Sequence, residues 1–482
     1  MRVWGCLLFL ATLLGAQDDA YEKALRLYEK KKWAAGQKAM RRFVEKNPGS
    51  PHAEEARLRS DDNCYLGTTV LWEGGPADRR IDVAVMGDGF THESASQKKQ
   101  EKWAKLCVDV LFNEKAFSQY RTYFNIYFVR LCSFEEGVDP QLTPEQRRKI
   151  EEKNRRRSKS RRKKLEFSTA LEARAAGPQG QVLMSRPLVH KWLQVADRDV
   201  PGVADDKYVI AFAQFGKLGM GGGSIANVGR PDKSVTTHEF GHAFSRLLDE
   251  YAIHPAPPQG VFARTLRAAN THASTAKPRR EDVPWAHFLK KRTKGVGIFE
   301  GGATFKKGVW RPARSCAMNS AGNNQFCPVC REQSILVIYE HVNPIDVAEP
   351  DPGPMAIREG DDHMLRVTPM APYKQKLHVD WYVAEHVVTE ANSAAPAPIA
   401  VKRAQQDRGF YASPPSGKKS RLAKLKKGVS SFPLEKLPVG TWRITCQVED
   451  RTKLVLKDEK HLLKERVSWI VTVKPQVQAS AG

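Results

Sequence analysis

The sequence predicts a mixed α/β chain with a helical segment before it and a β-sandwich after it. Three observations predict this. Apolar residues recur at helical spacing through residues 18–60, short apolar runs alternate with helical stretches from about residue 67, and β-rich alternating runs separated by turn residues follow residue 345. A length of 482 residues fits two or three domains, and 41% hydrophobic content is enough for a core. The formal charge of +24 favours attraction to acidic surfaces, without naming one.

The chain opens "MRVWGCLLFLATLLGAQDDA". A lone Arg2 precedes an apolar run from Val3 to Leu14, and small Gly15 and Ala16 lead into polar residues. This is the layout of a signal peptide over residues 1–16, cleaved after Ala16, so the mature chain is expected to be secreted or periplasmic. Cys6 lies too early, inside the apolar run, to be a lipoprotein cysteine. No later segment approaches the ~20 continuous apolar residues that a membrane-spanning helix needs. Of eight cysteines, seven remain after cleavage: Cys64, Cys107, Cys132, Cys316, Cys327, Cys330 and Cys446. An exported setting permits disulfides, but an odd number leaves at least one thiol free or paired between chains.

Residues 17–66 form the expected helical segment. Tyr21, Ala24, Leu25 and Tyr28, then Ala39, Met40 and Phe43, fall on helical faces, in a pattern like a single tetratricopeptide-type hairpin. One such unit cannot build the continuous face of a repeat array, so it is expected to pack on the next domain. Residues 67–345 carry strands at "IDVAVM" (81–86), "FNIYFV" (124–129) and "YVIAFAQ" (208–214). Helices are expected over about 94–112 and 187–196. The polar run 147–167, with its many Arg and Lys, reads as a solvated insertion, and so does "GKKSRLAKLKK" (417–427). "PDPGP" (350–354) marks a boundary, and residues 346–482 supply "KLHVDWYV", "GTWRITCQVED" and "RVSWIVTV". These runs suit an immunoglobulin-like β-sandwich.

The chemistry concentrates in "VTTHEFGHAFSRLLDEY" (235–251). His238 and His242, four apart, share one helix face and can reach one metal ion, and Glu239 between them suits a general base. A zinc hydrolase needs a third protein ligand. In metzincins a histidine stands six residues after the second; here that position is Leu248. Asp249, Glu250 and His254 are the nearby candidates. On a continuous helix Asp249 would lie about 10 Å along the axis from His242, so the helix must end near 245–247 and fold back for it to coordinate. The glycines of "GKLGMGGGSIANVG" (216–229) match no phosphate-binding loop. In a metzincin-like sheet, Gly221, Gly222 and Gly223 would fall on the edge strand bordering the cleft, which could receive an extended peptide by strand addition. Asp88, at a strand end, reads as a turn residue or structural cation ligand.

"HEFGHAFSRLLDEY" resembles the IgA-specific metalloendopeptidase family, whose signature joins H-E-x-G-H to a spaced D-E-Y. "IDVAVMGDGFT" (81–91), "YRTYFNIYFVRLCSFEEGVD" (120–139), "EGGATF" (300–305) and "RPARSCAMNSAGNNQFCPVCREQ" (311–333) resemble family segments in family order, over roughly 67–345. The resemblance implies a metzincin-like α+β fold, with zinc held by His238, His242 and Asp249 and with Glu239 as base. Arg246 departs from the family's small residues at the turn. Met318 in "SCAMNS" is the candidate for the methionine turn beneath the metal. Cys327 and Cys330 form a C-x-x-C near Cys316; with no second C-x-x-C a zinc ribbon does not fit, and a disulfide within the trio is the expectation.

The function these readings imply is a secreted bacterial zinc metallopeptidase hydrolysing peptide bonds of proteins through zinc-activated water, with Zn2+ as cofactor. Acidic cell-envelope polymers are a further partner that the charge admits; nucleic acid is not expected of an exported chain. The alternative is an exported envelope- or polyanion-binding protein with a structural or vestigial metal site. Glu239 weighs against it, because a closed structural site has no use for a glutamate there.

Overall fold

The structure is a computed structural model and describes residues 19–176, 180–216, 219–231, 234–258, 266, 268–319, 323–386, 418–419, 424–426 and 428–476. The expected signal peptide lies outside these residues. Three helices, α1 (19–29), α2 (Trp33–Lys46) and α3 (Ala53–Ser60), come first. Tyr21, Tyr28, Trp33, Met40 and Phe43 on their inner faces share a core with Leu66 and Cys132. β1 (Cys64–Trp72) therefore begins inside the segment expected to be helical.

β1 opens a six-stranded sheet with β2 (Ile81–Asp88), β3 (Phe124–Cys132), β6 (Tyr208–Ala213), β7 (Met220–Gly222) and β8 (Ile225–Val228), in the order β1-β3-β2-β6-β8-β7. The four inner strands run parallel, and β1 and β7 close the edges antiparallel. The inner strands are buried along almost their whole length, as parallel strands covered on both faces must be. Alternation divides the faces: Val83 and Val85 enter one core, Ala84 and Met86 the other. α7 (Arg186–Asp199) covers the second face through Val189, Trp192 and Leu193. The first face receives α4 (Ser94–Leu111), α5 (Lys115–Gln119), α8 (Val235–Ala243) and α10 (Pro328–His341).

Smaller elements complete this part. α6 (Pro144–Arg155) starts on a Thr143–Gln146 capping box and buries none of its residues, in keeping with a solvated insertion. β4 (Arg174–Ala176) and β5 (Gln181–Leu183) form a two-stranded ribbon. β9 (Ala252–His254), β10 (His272–Ala273), β11 (Phe299–Gly302) and β12 (Thr304–Arg311) form a small sheet, and α9 (Ala286–Lys290) lies between β10 and β11 in sequence.

The remaining strands form two sheets around one core. β13 (Ile345–Glu349), β15 (Met364–Pro369), β18 (Lys424–Lys426) and β19 (Val429–Pro433) make the first. β14 (Pro354–Arg358), β16 (His378–Glu385), β17 (Lys418–Lys419), β20 (Gly440–Glu449) and β21 (Lys464–Lys474) make the second. Trp381, Trp469 and Phe432 stack between them, with centroids 5.5–5.8 Å apart. The run 417–427 departs from the solvated loop expected of it, because its described residues pair as β17 and β18; the others lie outside the described residues. Charge patterning does not report such backbone pairing.

The expected disulfide is overturned. Among the described residues the cysteines are all free, including Cys316, Cys327 and Cys330. The Cys316 and Cys330 sulfurs stand 3.7 Å apart, well beyond the ~2.05 Å of a disulfide. Two of the three sulfurs lie within 4 Å of the Glu250 carboxylate.

Candidate metal centre

α8 runs along the face of the sheet beside β7 and β8, and its sequence explains how closely it approaches them. A Cβ on Gly221 would lie 2.4 Å from the Glu239 carbonyl and 2.8 Å from the His242 Cβ; one on Gly219 would lie 2.6 Å from the Glu239 side chain. Only glycine allows that approach. On the opposite side of the helix, a Cβ on Gly241 would meet the Met318 sulfur at 2.8 Å and the Phe326 ring at 3.0 Å. The glycine of "HEFGH", Gly241, therefore seats the helix on Met318, which is fully buried.

The helix ends at Ala243, and the chain folds back without a glycine. Arg246 takes the left-handed conformation, φ 57°, at a cost of about 1 kcal/mol for a residue with a Cβ. Its guanidinium is held by Glu340 at 2.5 Å, and the Leu247 N–H returns to the Gly241 carbonyl at 3.2 Å. The turn brings Asp249 beside the histidines. His238 Nε2 is 3.0 Å and His242 Nε2 3.1 Å from Asp249 Oδ1, and the two Nε2 atoms are 3.1 Å apart.

The other ring nitrogens are already committed. His238 Nδ1 donates to the Ala317 carbonyl at 2.9 Å and His242 Nδ1 to the Leu247 carbonyl at 2.7 Å. In the neutral rings this leaves two Nε2 lone pairs and a carboxylate oxygen converging without a donor among them. Three acceptors in that arrangement suit a cation, and their spacing is close to the ~3.4 Å between ligands of a tetrahedral zinc. Backbone carbonyls orienting metal-binding imidazoles are the usual support for such sites. His238, Glu239 and His242 make a cluster compatible with a metal ion.

Charge in the metal-free cluster is strongly coupled. Burial works against the His238 imidazolium, but the Asp249 and Glu239 carboxylates outweigh it and hold its pKa up at about 9. Burial likewise opposes the Asp249 carboxylate, and the two imidazoles overcome it, holding the group well below the usual carboxylate range. Burial pushes Glu239 up; the two imidazoles and the Gly221 N–H oppose it, and Asp249 adds to it. Glu239 is 5% exposed, whereas the side chains of His238, His242 and Asp249 keep 13–19%.

Of the other singled-out residues, Gly221 and Gly222 lie on edge strand β7 and Gly223 follows it at φ 64°. Met318 lies under Gly241, and its carbonyl accepts the Glu250 N–H at 2.6 Å. His254 sits on β9, where its ring neighbours Phe305. Asp88 accepts from the Leu171 and Ala173 N–H groups and the Ser133 and Thr169 hydroxyls, at 2.8–3.1 Å. Both of its oxygens are thus occupied in anchoring the segment after β3. Sequence reasoning missed Tyr251, whose ring stacks on His238 with centroids 6.0 Å apart and whose hydroxyl bonds Asp249. It closes the D-E-Y triplet, which was the signal available for it.

Residues 69–153 and 263–338 match a known family, described as IgA Peptidase M64. The resemblance read from the sequence is this one. No curated protein matches the chain. The matched segments support a peptidase, hence a hydrolase. They contain β2, α4, β3 and the Met318–Cys330 region, whereas the helix bearing His238 falls between them. No helix among the described residues is long and apolar enough to cross a membrane.

Proposed function

We propose that the chain is an exported zinc metallopeptidase in which His238, His242 and Asp249 hold the metal and Glu239 is the general base. The observation that carries this reading is the convergence of three acceptor atoms within 3.1 Å beside a buried glutamate, in a chain with a peptidase-family match. A zinc ion held there supplies a Lewis acid that polarises a carbonyl and acidifies water. The chain's own groups do the rest. Glu239 takes a proton on its carboxylate and returns it to the leaving amine, with the Gly221 N–H fixing that carboxylate. Its burial raises its pKa above the ordinary carboxylate value, which favours taking up a proton. Tyr251, hydrogen-bonded to Asp249, holds the carboxylate in place.

In this reading, residues 67–345 are a metzincin-like catalytic domain, with a helical segment before it and an immunoglobulin-like sandwich after it. The substrate is a protein or peptide, and edge strand β7 receives it in extended form along Gly221–Gly223. The leader over residues 1–16 directs secretion, and the exposed basic residues of α6 suit acidic cell-envelope polymers. The test is a proteome-derived peptide mixture digested by the purified protein and by Glu239→Ala, read by mass spectrometry. Cuts made only by the wild type are expected. If neither protein cuts, the general-peptidase reading fails.

A further inference from the structure

Next to the candidate catalytic cluster lies a second convergence of donors. The side chains of Glu250, Cys316, Cys327 and Cys330 are buried, and one ligand atom from each lies within 4.8 Å of all the others. We propose that these four residues form a second metal site, a closed structural site for a zinc-class ion, which clamps the segment carrying Asp249 to the segment carrying Met318. This site stands independently of the peptidase reading.

The geometry supports a metal over two alternatives, the disulfide expected from the sequence and a set of inert core thiols. In a tetrahedral site with ~2.3 Å zinc–sulfur bonds, neighbouring sulfurs lie about 3.8 Å apart. Cys316 Sγ and Cys330 Sγ are 3.7 Å apart. A zinc-bound carboxylate oxygen should stand roughly 3.5 Å from each sulfur. Glu250 Oε1 lies 3.0 Å from Cys330 Sγ and 3.9 Å from Cys327 Sγ. Inert core thiols would not explain Glu250. It is 0% exposed, and its Oε2 has no hydrogen-bond partner, an arrangement that natural cores avoid. Its other oxygen is also held by the Asn270 amide at 3.2 Å. Three sulfurs and one carboxylate oxygen in a buried cluster form a donor set that suits zinc and is poorly matched to calcium or magnesium.

The surroundings supply what such a site needs. The Cys327 N–H points to Cys316 Sγ at 3.2 Å, the kind of backbone hydrogen bond that stabilises a metal-bound thiolate. Cys327 caps the N-terminus of the fourteen-residue α10, and Cys330 lies in its first turn, so the positive end of the helix faces the negative ligands. The C-x-x-C is thus completed by a cysteine eleven residues upstream and by a glutamate distant in sequence, in place of the second C-x-x-C of a ribbon.

The consequence for the first cluster follows from connectivity. Glu250 is bonded in sequence to Asp249, and its N–H donates to the Met318 carbonyl at 2.6 Å. Ala317, whose carbonyl orients His238, follows Cys316 directly. A metal shared by Glu250 and the three cysteines fixes both the acidic ligand and the floor beneath the histidines. Cys316, Cys327, Cys330 and Glu250 are positioning residues in this scheme.

The test uses the purified full chain and reads metal directly. Wild-type protein is expected to hold about two zinc equivalents, and His238→Ala/His242→Ala about one. Substituting cobalt into that double variant should give sulfur-to-cobalt charge-transfer absorption, which a site built of nitrogen and oxygen cannot produce. Cys330→Ser should lose that band and one equivalent. If Cys330→Ser does not fold, the cobalt spectrum of the histidine variant still decides. A wild type holding no metal in thiolate coordination, or one in which peptide mapping finds a Cys316–Cys330 disulfide, overturns the proposal. Failure of peptide cleavage alone would leave the second site standing, because its readout is metal content and spectrum.

Discussion

At His238, burial and charge pull in opposite directions, and charge prevails. The imidazole keeps its proton up to about pH 9 in the metal-free protein, because Asp249 and Glu239 outweigh the desolvation that would remove it. A metal ion must displace that proton. The apparent affinity for zinc should therefore rise about tenfold per pH unit from neutrality, and level off above the His238 pKa. Calorimetric titrations at neutral pH, run in buffers of different ionisation enthalpy, should find about one proton released per metal bound at this cluster. Working in the histidine cluster alone requires the Cys330→Ser background. A flat pH profile would show that the imidazole is already neutral and that Asp249 is not the partner holding its charge. Much at this scale was legible in advance. The i, i+4 histidines and the glutamate between them suggest a metal site by spacing, whereas Asp249 was singled out from Asp249, Glu250 and His254 by the family resemblance. What spacing does not reveal is how the turn forms without glycine: a left-handed Arg246 held by Glu340, a residue from α10 far along the chain.

The meeting of α8 with β7 is where elements, not single residues, set the site. Gly221 and Gly222 are neighbours in sequence, but they face different surroundings. A Cβ at Gly221 strikes the backbone of Glu239 and the His242 side chain, whereas a Cβ at Gly222 meets nothing within 4 Å. Gly221→Ala should displace Glu239 and lower kcat by about 100-fold, the penalty typical of an ångström-scale misplacement. Gly222→Ala should be nearly silent. Gly222→Pro would remove a backbone donor and impose φ on the edge strand, so it should raise KM for peptides while leaving kcat largely intact, as a substrate ledge requires. Steady-state kinetics on a fluorogenic peptide separate the three variants, and equal behaviour of Gly221→Ala and Gly222→Ala would remove the argument from close packing. The run of glycines was visible in the sequence, and its place on an edge strand was implied by the family resemblance. Its closer role, letting the strand touch the helix, depends on which alternate residue faces α8, and strand register fixes that only in the folded sheet. The cysteine trio was misread for a related reason: Glu250, which lies against it, is 66 residues from Cys316, and nothing in the sequence links the two.

Across the whole molecule, the C-terminal sheets are tied to the core that carries the candidate site by polar contacts too deep to be incidental. Asp450, just after β20, accepts from the Tyr120 hydroxyl and from Tyr339 at 2.9 Å; all three are buried. Tyr123 donates to the Met370 carbonyl, and Arg80 makes a paired contact with both Asp346 oxygens at 2.8 and 2.9 Å. Leu462 and Leu463 enter the same core as Val83 and Phe240. Alternation could show that strands follow residue 345, but not that their connecting loops fill the floor of the α/β part, since these partners stand up to 330 residues apart. Ending the chain at residue 345 would strip the buried tyrosines of Asp450 and expose apolar surface, so it should give insoluble protein rather than a free-standing enzyme. Asp450→Ala is the milder test. It leaves the Tyr120 hydroxyl without its carboxylate in a closed core, and should cost about 1–3 kcal/mol in denaturant unfolding. Asp450→Asn keeps an acceptor for the tyrosines and should recover much of that loss. A single cooperative transition shifted as a whole would mean that the sheets and the α/β part unfold together. Two separated transitions, with the α/β part unmoved by Asp450→Ala, would mean that the contact carries no coupling between them.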